Sequence, residues 1–491
     1  MQSLWSISGR SIAVSALALS LAACQSMRGP EPVAQANIPT GYINNSSGPS
    51  IAEQGYKDFF TDPRLLQVID LSLVNNRDLR KATLNIQRAQ QQYQITENNR
   101  LPTIGASGSV LRQVSPSVDP NNPYSTYQVG LGVTNYELDF WGRVRSLKDN
   151  ALDTYLSTQS SRDATQIALI CQVSQAWLNY SFATAQLKLA EQTLKAQQDS
   201  YNLNKKRFEV GIDSELPVRQ AQILVETARN DVANFKTQIA QAQNLLNLLV
   251  GESVPDSLLP KQRISRITNS NTLMAGLPSD LLQNRPDIKA AEYKLSAAGA
   301  NIGAARASLF PTITLTGTAG YASTDLNNMF KSGNFAWSVG PSLNLPIFDW
   351  GTRKANIKIS ETDQQIAVAD YEKSIQSAFR EVNDALATRQ NIGDRLTAQR
   401  RLVDASNTTY KLSNARFRSG IDNFLTVLDA QRSSYNAEQG LLLLQQADLN
   451  NQIEVYKTLG GGLKTNNTDM VNYAPSSSEM KYHPEQQPAQ K

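Results

Sequence analysis

Histidine and cysteine are almost missing from this sequence: its 491 residues hold one histidine, His483, and two cysteines, Cys24 and Cys171. A histidine-based metal or acid–base centre is therefore not suggested, and neither is a disulfide framework. An excess of one charge sign is missing too. The 47 basic and 43 acidic side chains leave a formal charge of +4, which is no nucleic-acid footprint. Beyond the N-terminus, no run reaches the roughly 18 apolar residues expected of a membrane-spanning helix, so a membrane crossing would have to be made by strands. Proline is absent between Gly142 and Phe208. A helix of that length, at about 1.5 Å per residue, would run on the order of 100 Å, which no compact domain requires. No constellation of residues supports an enzyme, and no cofactor or metal is expected.

What the chain does contain, it contains twice. Arg207-Phe208-Glu209-Val210-Gly211-Ile212-Asp213 returns as Arg416-Phe417-Arg418-Ser419-Gly420-Ile421-Asp422, a displacement of 209 residues from Gly211 to Gly420. Trp141-Gly142 returns likewise as Trp350-Gly351, Pro102-Thr103-Ile104 as Pro311-Thr312-Ile313, and Asp78 as Asp287. So constant an offset predicts one duplicated architecture rather than unrelated domains. Each Phe-x-x-Gly-Ile-Asp ends a long helical pattern with a glycine able to take the left-handed C-cap, and a helix restarts at the following Asp or Ser. Both stretches read as tips of helical hairpins: Gly211, Ile212 and Asp213 in one half, Gly420, Ile421 and Asp422 in the other.

At the N-terminus, Arg10 precedes a short apolar run from Ser11 to Leu21, which leads into Leu21-Ala22-Ala23-Cys24. This looks like a secretory signal closed by a lipobox. The resemblance implies removal of residues 1–23, acylation of Cys24 with palmitate among the chains and, because Gln25 follows, sorting to the outer membrane. The plainer alternative is an ordinary signal with a chance cysteine. Cys171, left without a partner, reads as a small buried apolar residue. Residues 24–61 read as an N-terminal tether, most extended in the Pro-, Ser-, Asn- and Gly-rich part from Gly29 to about Glu53.

The body divides into a first repeat, 62–270, and a second, 271–462, followed by a loosely attached tail, 463–491. In the first, Pro63 starts a polar helical pattern that Pro102 ends near Arg100. The period then changes: Tyr127, Val129, Leu131 and Val133 alternate with Gln128, Gly130, Gly132 and Thr134, the pattern of a two-faced strand. With the segment Ile104 to Arg112 and a loop from Ser115 to Pro123, it predicts a β-hairpin over about 103–140. The second repeat predicts another over about 311–348, in which Ile313, Leu315, Ala319 and Tyr321 alternate with threonines and Phe335, Trp337, Val339, Leu343 and Leu345 with small polar residues. Aromatics at the strand ends, among them Tyr136, Phe140, Trp141, Phe348 and Trp350, stand where a transmembrane barrel keeps its interfacial girdles. A soluble sheet with one buried face is the alternative. Along the long helices, Val173, Tyr180, Leu187, Leu194 and Tyr201 recur in heptads with Ala176, Ala183 and Ala190, which suits close antiparallel packing against the returning helix that ends at Val250-Gly251.

Four strands cannot close a membrane barrel, since the smallest have about eight, so several protomers must pool their hairpins. Taken in order, Leu21-Ala-Ala-Cys24, Asn284-Arg-Pro-Asp287, Leu309-Phe-Pro-Thr-Ile313, Leu345-Pro-Ile-Phe-Asp-Trp-Gly351 and the run from Phe417 to Arg432 resemble the TolC-like outer-membrane efflux proteins, specifically their lipid-anchored, OprM-like branch. The resemblance covers nearly everything from Cys24 to Gly462. It implies a mixed α and β membrane protein: a homotrimer whose protomers give four strands each to a twelve-stranded transmembrane β-barrel, continued by a long periplasmic α-helical barrel. The implied role is the passive exit duct of a tripartite multidrug efflux system. Its partners would be outer-membrane lipid, a periplasmic adaptor and, through the adaptor, an inner-membrane RND transporter, with no nucleic acid. A duct for type I protein secretion and a lipid-anchored periplasmic coiled-coil scaffold are the competing readings.

By the same resemblance, Leu425 is a hydrophobic constriction, Asp429 a carboxylate ring and Arg432 a partner that helps lock a periplasmic gate. Their spacing places all three on one helical face. The first-repeat counterparts Leu216, Gln220 and Ile223 lack the charges, so the second tip alone reads as specialised. A solvated Asp–Arg pair on an ordinary helix is the plainer alternative. Both tips are expected to meet the adaptor, and Lys205-Lys206-Arg207 reads either as part of that contact or as a solvated, dipole-compatible helix end.

Overall fold

A computed structural model describes residues 54–115, 119–268 and 284–461, together with 27, 28, 32 and 282. Cys24, the signal, most of the tether and the tail from 463 onward lie outside the described residues. The chain forms α1 (Tyr56–Phe59), α2 (Pro63–Asn75), α3 (Arg77–Asn98), β1 (Ile104–Ser115), β2 (Asp119–Glu137), α4 (Arg143–Glu209), α5 (Glu215–Val250), α6 (Pro286–Ala307), β3 (Thr312–Ser323), β4 (Phe335–Asn344), α7 (Thr352–Arg418) and α8 (Phe424–Thr458). The duplication is visible in the bounds: α4 and α7 have 67 residues each, α3 and α6 have 22 each, and both pairs keep the spacing of the two glycine tips. None of the described helices is long and apolar enough to cross a membrane.

The compact units do not coincide with the repeats. One unit contains Arg80–Ala164, Pro286–Ser377 and Arg28; the other contains Thr165–Arg285, the segment ending at Leu79 and the segment beginning at Ala378. Helices α4 and α7 contribute to both.

The first unit carries an antiparallel sheet of order β1-β2-β3-β4. Its register aligns Val110 with Tyr127, Leu131 with Ala319, Tyr321 with Phe335 and Ala319 with Trp337, so one face is apolar across all four strands. The opposite face aligns Gly130 with Gly320, Thr318 with Ser338 and Thr314 with Ser342, and is small or polar. Trp337 is 71% exposed and Val339 64%, so the described residues leave the apolar face of β4 uncovered. On the small face β2 and β3 approach closely: a Cβ at Gly320 would stand 2.2 Å from the Val129 carbonyl oxygen. Near the strand ends, β2 gains a residue between Val133 and Tyr136, where Asn135 adopts φ 54° and its amide donates to Thr316 Oγ1 at 3.2 Å. This bulge reverses the parity of β2 and returns Tyr136 to the apolar face opposite Leu315. The expected loop up to Pro123 is instead the start of β2. Its prolines fall where the register slips between Gln113 and Ser115, a place that needs no continuous ladder. Trp141 stacks on Phe310 at 4.7 Å and donates to the Pro311 carbonyl at 2.8 Å, tying the exit of β2 to the entrance of β3.

In the second unit, the single polar helix expected from Pro63 to Arg100 is broken at Asn76. That residue is extended (φ −62°, ψ 129°), and its side chain caps the next helix by accepting from the Leu79 amide at 2.9 Å. The Asn76 side-chain nitrogen, Nδ2, donates to the Leu249 carbonyl at 2.7 Å. In the second repeat Arg285 stands at the corresponding place. It donates to the Thr458 carbonyl at 3.0 Å and pairs with Glu381 at 2.9 Å. Gly251 and Gly460 end the returning helices α5 and α8 with φ 85° and 80°. A Cβ at either would strike backbone, Asn75 O at 2.4 Å or Asn284 O at 2.9 Å. The motif Asn284-Arg-Pro-Asp287 is thus half of a duplicated latch between a helix end and a helix start. The last residues read as tether do not behave as one: Phe59 and Phe60 are buried, and Phe59 stacks on Tyr456 at 4.1 Å. Cys171 is buried as expected, and burial pushes its thiol up to about 12.

Gly251 and Gly211 share a left-handed φ but differ in room, since nothing lies within 4 Å of a Cβ at Gly211. Gly211→Ala is expected to cost about 1 kcal/mol, the strain of the backbone alone. Gly251→Ala adds a backbone collision and is expected to cost roughly 1–3 kcal/mol more. The midpoints of thermal unfolding followed by circular dichroism in detergent check the order.

Candidate gate and hairpin tips

The two tips are built alike. At the first, the Ile212 amide donates to the Arg207 carbonyl at 2.9 Å and the Gly211 amide to the Phe208 carbonyl at 2.9 Å, with Gly211 at φ 75°. At the second, Ile421 donates to Arg416 at 3.0 Å and Gly420 to Phe417 at 2.9 Å, with Gly420 at φ 74°. This double closure is the Schellman motif, which satisfies two carbonyls left over at the helix end. Asp213 and Asp422 do not start the next helices. The N-caps are Ser214 and Asn423, and only Asn423 uses its side chain, accepting from the Thr426 amide at 3.2 Å. Each aspartate instead reaches back to the arginine of its own motif: Arg207 Nε to Asp213 Oδ2 at 2.5 Å, and Arg416 Nε and Nη2 to the two Asp422 oxygens at 2.7 and 2.9 Å. The Arg416–Asp422 pair is bidentate, two charge-assisted hydrogen bonds from one guanidinium, whereas Arg207 reaches Asp213 through Nε. The hydrogen bond from Arg416 holds the Asp422 carboxyl below the usual carboxylate range.

Beyond the glycines the tips diverge. Phe417 and Phe424 meet at 5.3 Å and pack with Ala221, Val427 and Leu428, with Tyr201, Leu224 and Tyr410 against them. The first-repeat counterpart of Phe424 is Glu215, which is exposed and paired with Arg219. Arg207 of the first tip lies over the Phe417 ring at 5.2 Å, so the basic residue next to the first tip is partly committed to the second.

Leu425, Asp429 and Arg432 all lie on the exposed side of α8. Leu425 is 50% exposed, and Asp429 and Arg432 form a 3.1 Å ion pair whose side chains are 59% and 66% exposed. Leu425 and Asp429 line a cleft of about 500 Å³ between α8 and α7, with Ala405, Thr409 and Ser413 on its other wall. Arg432 is not among its lining residues. The structure therefore brings Asp429 to Leu425 across one turn and to Arg432 by a direct pair.

Sequence reasoning missed the residues that tie this helix to its neighbours. The Tyr435 hydroxyl donates to Asp231 Oδ2 of α5 at 3.0 Å, and burial together with that carboxylate raises the phenol. Asn407 of α7 donates to Glu438 at 2.9 Å and accepts from Ser434. On α4 the buried heptad stripe Ala176, Ala183, Ala190 continues as Gln197 and Asn204, both buried, each with a side-chain oxygen that has no hydrogen-bond partner among the described residues. Ala190 packs on Val232 and Phe235 of α5, whereas the two amides replace that packing toward the tip. A period of seven could have flagged these positions, but it says nothing about which polar side chains meet across helices.

The family model described as outer membrane efflux protein matches this chain twice, at residues 68–252 and 277–461, the same displacement that separates the glycine tips. The antibiotic efflux pump outer membrane protein ArpC of Pseudomonas putida is 44% identical over 440 residues, covering 88% of this chain and 91% of that one. The toluene efflux pump outer membrane protein TtgC of the same species is equally similar, 44% over 440 residues with 88% and 91% covered. The open state of the MtrE outer membrane channel of Neisseria gonorrhoeae superposes with a TM-score of 0.82 at 38% identity, covering 90% of this chain and 99% of that one. With the long helices, latches and tips all repeated at the interval at which that model matches, the chain belongs to the outer membrane efflux protein family.

Proposed function

We propose that this protein is the exit duct of a multicomponent efflux system, a passive channel through which small molecules leave the cell across the outer membrane. The observation that carries the reading is the uncovered sheet: one continuous apolar face, one small polar face, and two edge strands, β1 and β4, with no partner strand in the described chain. Unpaired backbone groups cannot remain at a membrane edge, so copies must join edge to edge until a barrel closes. Three copies supply twelve strands, an ordinary size for a closed barrel with a water-filled interior. The apolar face then meets lipid and the threonine- and glycine-bearing face lines the lumen. Acylation at Cys24 adds an anchor in the same membrane, and an adaptor meeting the two tips links the duct to an energised transporter. Relatives named for antibiotics and for toluene support small molecules over proteins as cargo.

The second tip is the gate of this duct. Leu425 narrows it, Asp429 and Arg432 hold their paired charges on the exposed side of α8, and the Tyr435–Asp231 bridge ties α8 to α5 in the closed state. A single hydrogen bond of this kind contributes on the order of 1 kcal/mol, so a partner can release the closed state.

Purified protein is expected to run as a trimer in detergent and to give discrete conductance steps in planar bilayers. A stable monomer without conductance would overturn the duct reading. Asp429→Ala and Arg432→Ala are each expected to raise single-channel conductance, and unchanged conductance in both would remove them from the gate. Tyr435→Phe deletes only the hydroxyl that bridges to Asp231 and is expected to raise conductance as well, by less than Asp429→Ala, in the same recordings.

A further inference from the structure

Four residues after Cys24, the chain touches the unit that carries the sheet. Arg28 Nη2 donates to the Ser296 carbonyl at 2.9 Å and to Ser296 Oγ at 2.6 Å. Ser296 Oγ donates in turn to Asp153 Oδ2 at 2.6 Å, and that carboxylate oxygen stands 3.9 Å from the same Arg28 nitrogen. The Arg28 and Asp153 side chains are only 25% and 15% exposed, which strengthens a charge-assisted contact relative to one in open water.

The segment crosses α6 over two glycines. A Cβ at Gly303 would stand 3.2 Å from the Arg28 backbone nitrogen and 2.7 Å from Ser146 Oγ. One at Gly299 would stand 3.1 Å from Gln364 Nε2 and 3.5 Å from Arg28 Nε. Neither glycine has a positive φ, so what they provide is room. The duplication supplies a control. At the displacement of the glycine tips, Ser296, Gly299 and Gly303 correspond to Gln87, Gln90 and Gln94 of α3, and Asp153 corresponds to Thr362. The counterpart pair, α3 of the first repeat with α7 of the second, has neither the two glycines nor the carboxylate, so neither feature is required by the helical framework.

We propose that Asp153, Ser296, Gly299 and Gly303 form a seat for the N-terminal segment, and that the seat fixes where the lipid on Cys24 enters the membrane. The second half of this statement rests on the lipoprotein reading of Cys24. Four extended residues reach at most about 14 Å. Gly303 lies one helical turn before the end of α6 at Ala307, and β3 begins at Thr312. The seat thus holds the attachment point near the base of the sheet, where acyl chains can enter the bilayer beside the apolar face. A free tether would allow the anchor to wander; a seated one makes lipid and sheet enter the membrane as one body.

Trypsin cleavage after Arg28 in the full-length, membrane-embedded protein tests the seat, read by mass spectrometry of the new N-terminus at Gly29. Cleavage is expected to be slow in the wild type and about tenfold faster in Gly303→Leu, as expected when charge-assisted hydrogen bonds no longer oppose local opening. Because Gly303→Leu also presses on Ser146, the Asp153→Ala, Ser296→Ala double variant is the second arm, with the same acceleration expected. Equal cleavage rates in the wild type and both variants overturn the seat. Metabolic labelling with palmitate tests the lipid half separately: label on Cys24 is expected, to be lost in Cys24→Ser secreted behind a non-lipoprotein signal. Slow cleavage with no label in the wild type overturns the anchor while the seat stands.

Discussion

The backbone groups along the outer edges of β1 and β4 set the terms for the rest of the molecule. A sheet of four strands satisfies its interior ladder but not its rims, and in a lipid environment a bare amide or carbonyl costs several kcal/mol with no water to relieve it. Self-association is therefore a condition of folding in the membrane, not an addition to it. The alternation of the strands follows from the same demand, because a closed sheet has one face for lipid and one for water. The bulge at Asn135 shows how closely the two are coordinated: without the extra residue, Tyr136 would stand on the wrong face for the remaining ladder.

The helices answer a different demand, how to return after a run of 67 residues. Each return begins with a Schellman closure bracketed by an arginine–aspartate pair and ends with a left-handed glycine lodged against a backbone carbonyl, that of Asn75 in one half and of Asn284 in the other. These joints are duplicated with their geometry intact, while the side chains around them have diverged. Asn76 and Arg285 make the same bond to a helix-end carbonyl, but only the arginine adds an ion pair. Duplication has preserved the backbone contacts, and the two copies have specialised through side chains.

Much of this was legible in the residues. The constant displacement predicted the duplicated helices, the period-two stretches predicted both hairpins, and the glycines predicted the tips. Three things were not. The break at Asn76 was invisible because a polar helical pattern continues through it, and the deciding bond goes to a carbonyl 173 positions away in sequence. Of the two residues expected to restart a helix after each tip, Asp or Ser, the serine does so at Ser214, whereas Asn423 takes that place at the second tip and both aspartates pair with the arginine of their own motif. At the proposed gate, spacing placed Leu425, Asp429 and Arg432 together on one face, but it gave no sign of Tyr435 and Asp231, whose contact joins two helices from different repeats. Sequence periodicity reports which face a residue occupies, not what stands opposite.

The duplication has a consequence for symmetry. Two near-identical hairpins in each of three chains would give a ring close to sixfold in its backbone. The counterparts of Leu425, Asp429 and Arg432 in the first hairpin are Leu216, Gln220 and Ile223. Every second hairpin around such a ring then lacks the Asp429 carboxylate, which recurs at 120° rather than 60°. If Asp429 faces the pore as proposed, halving the number of like charges on the ring weakens their mutual repulsion, and the proposed closure would bring together three aspartates rather than six.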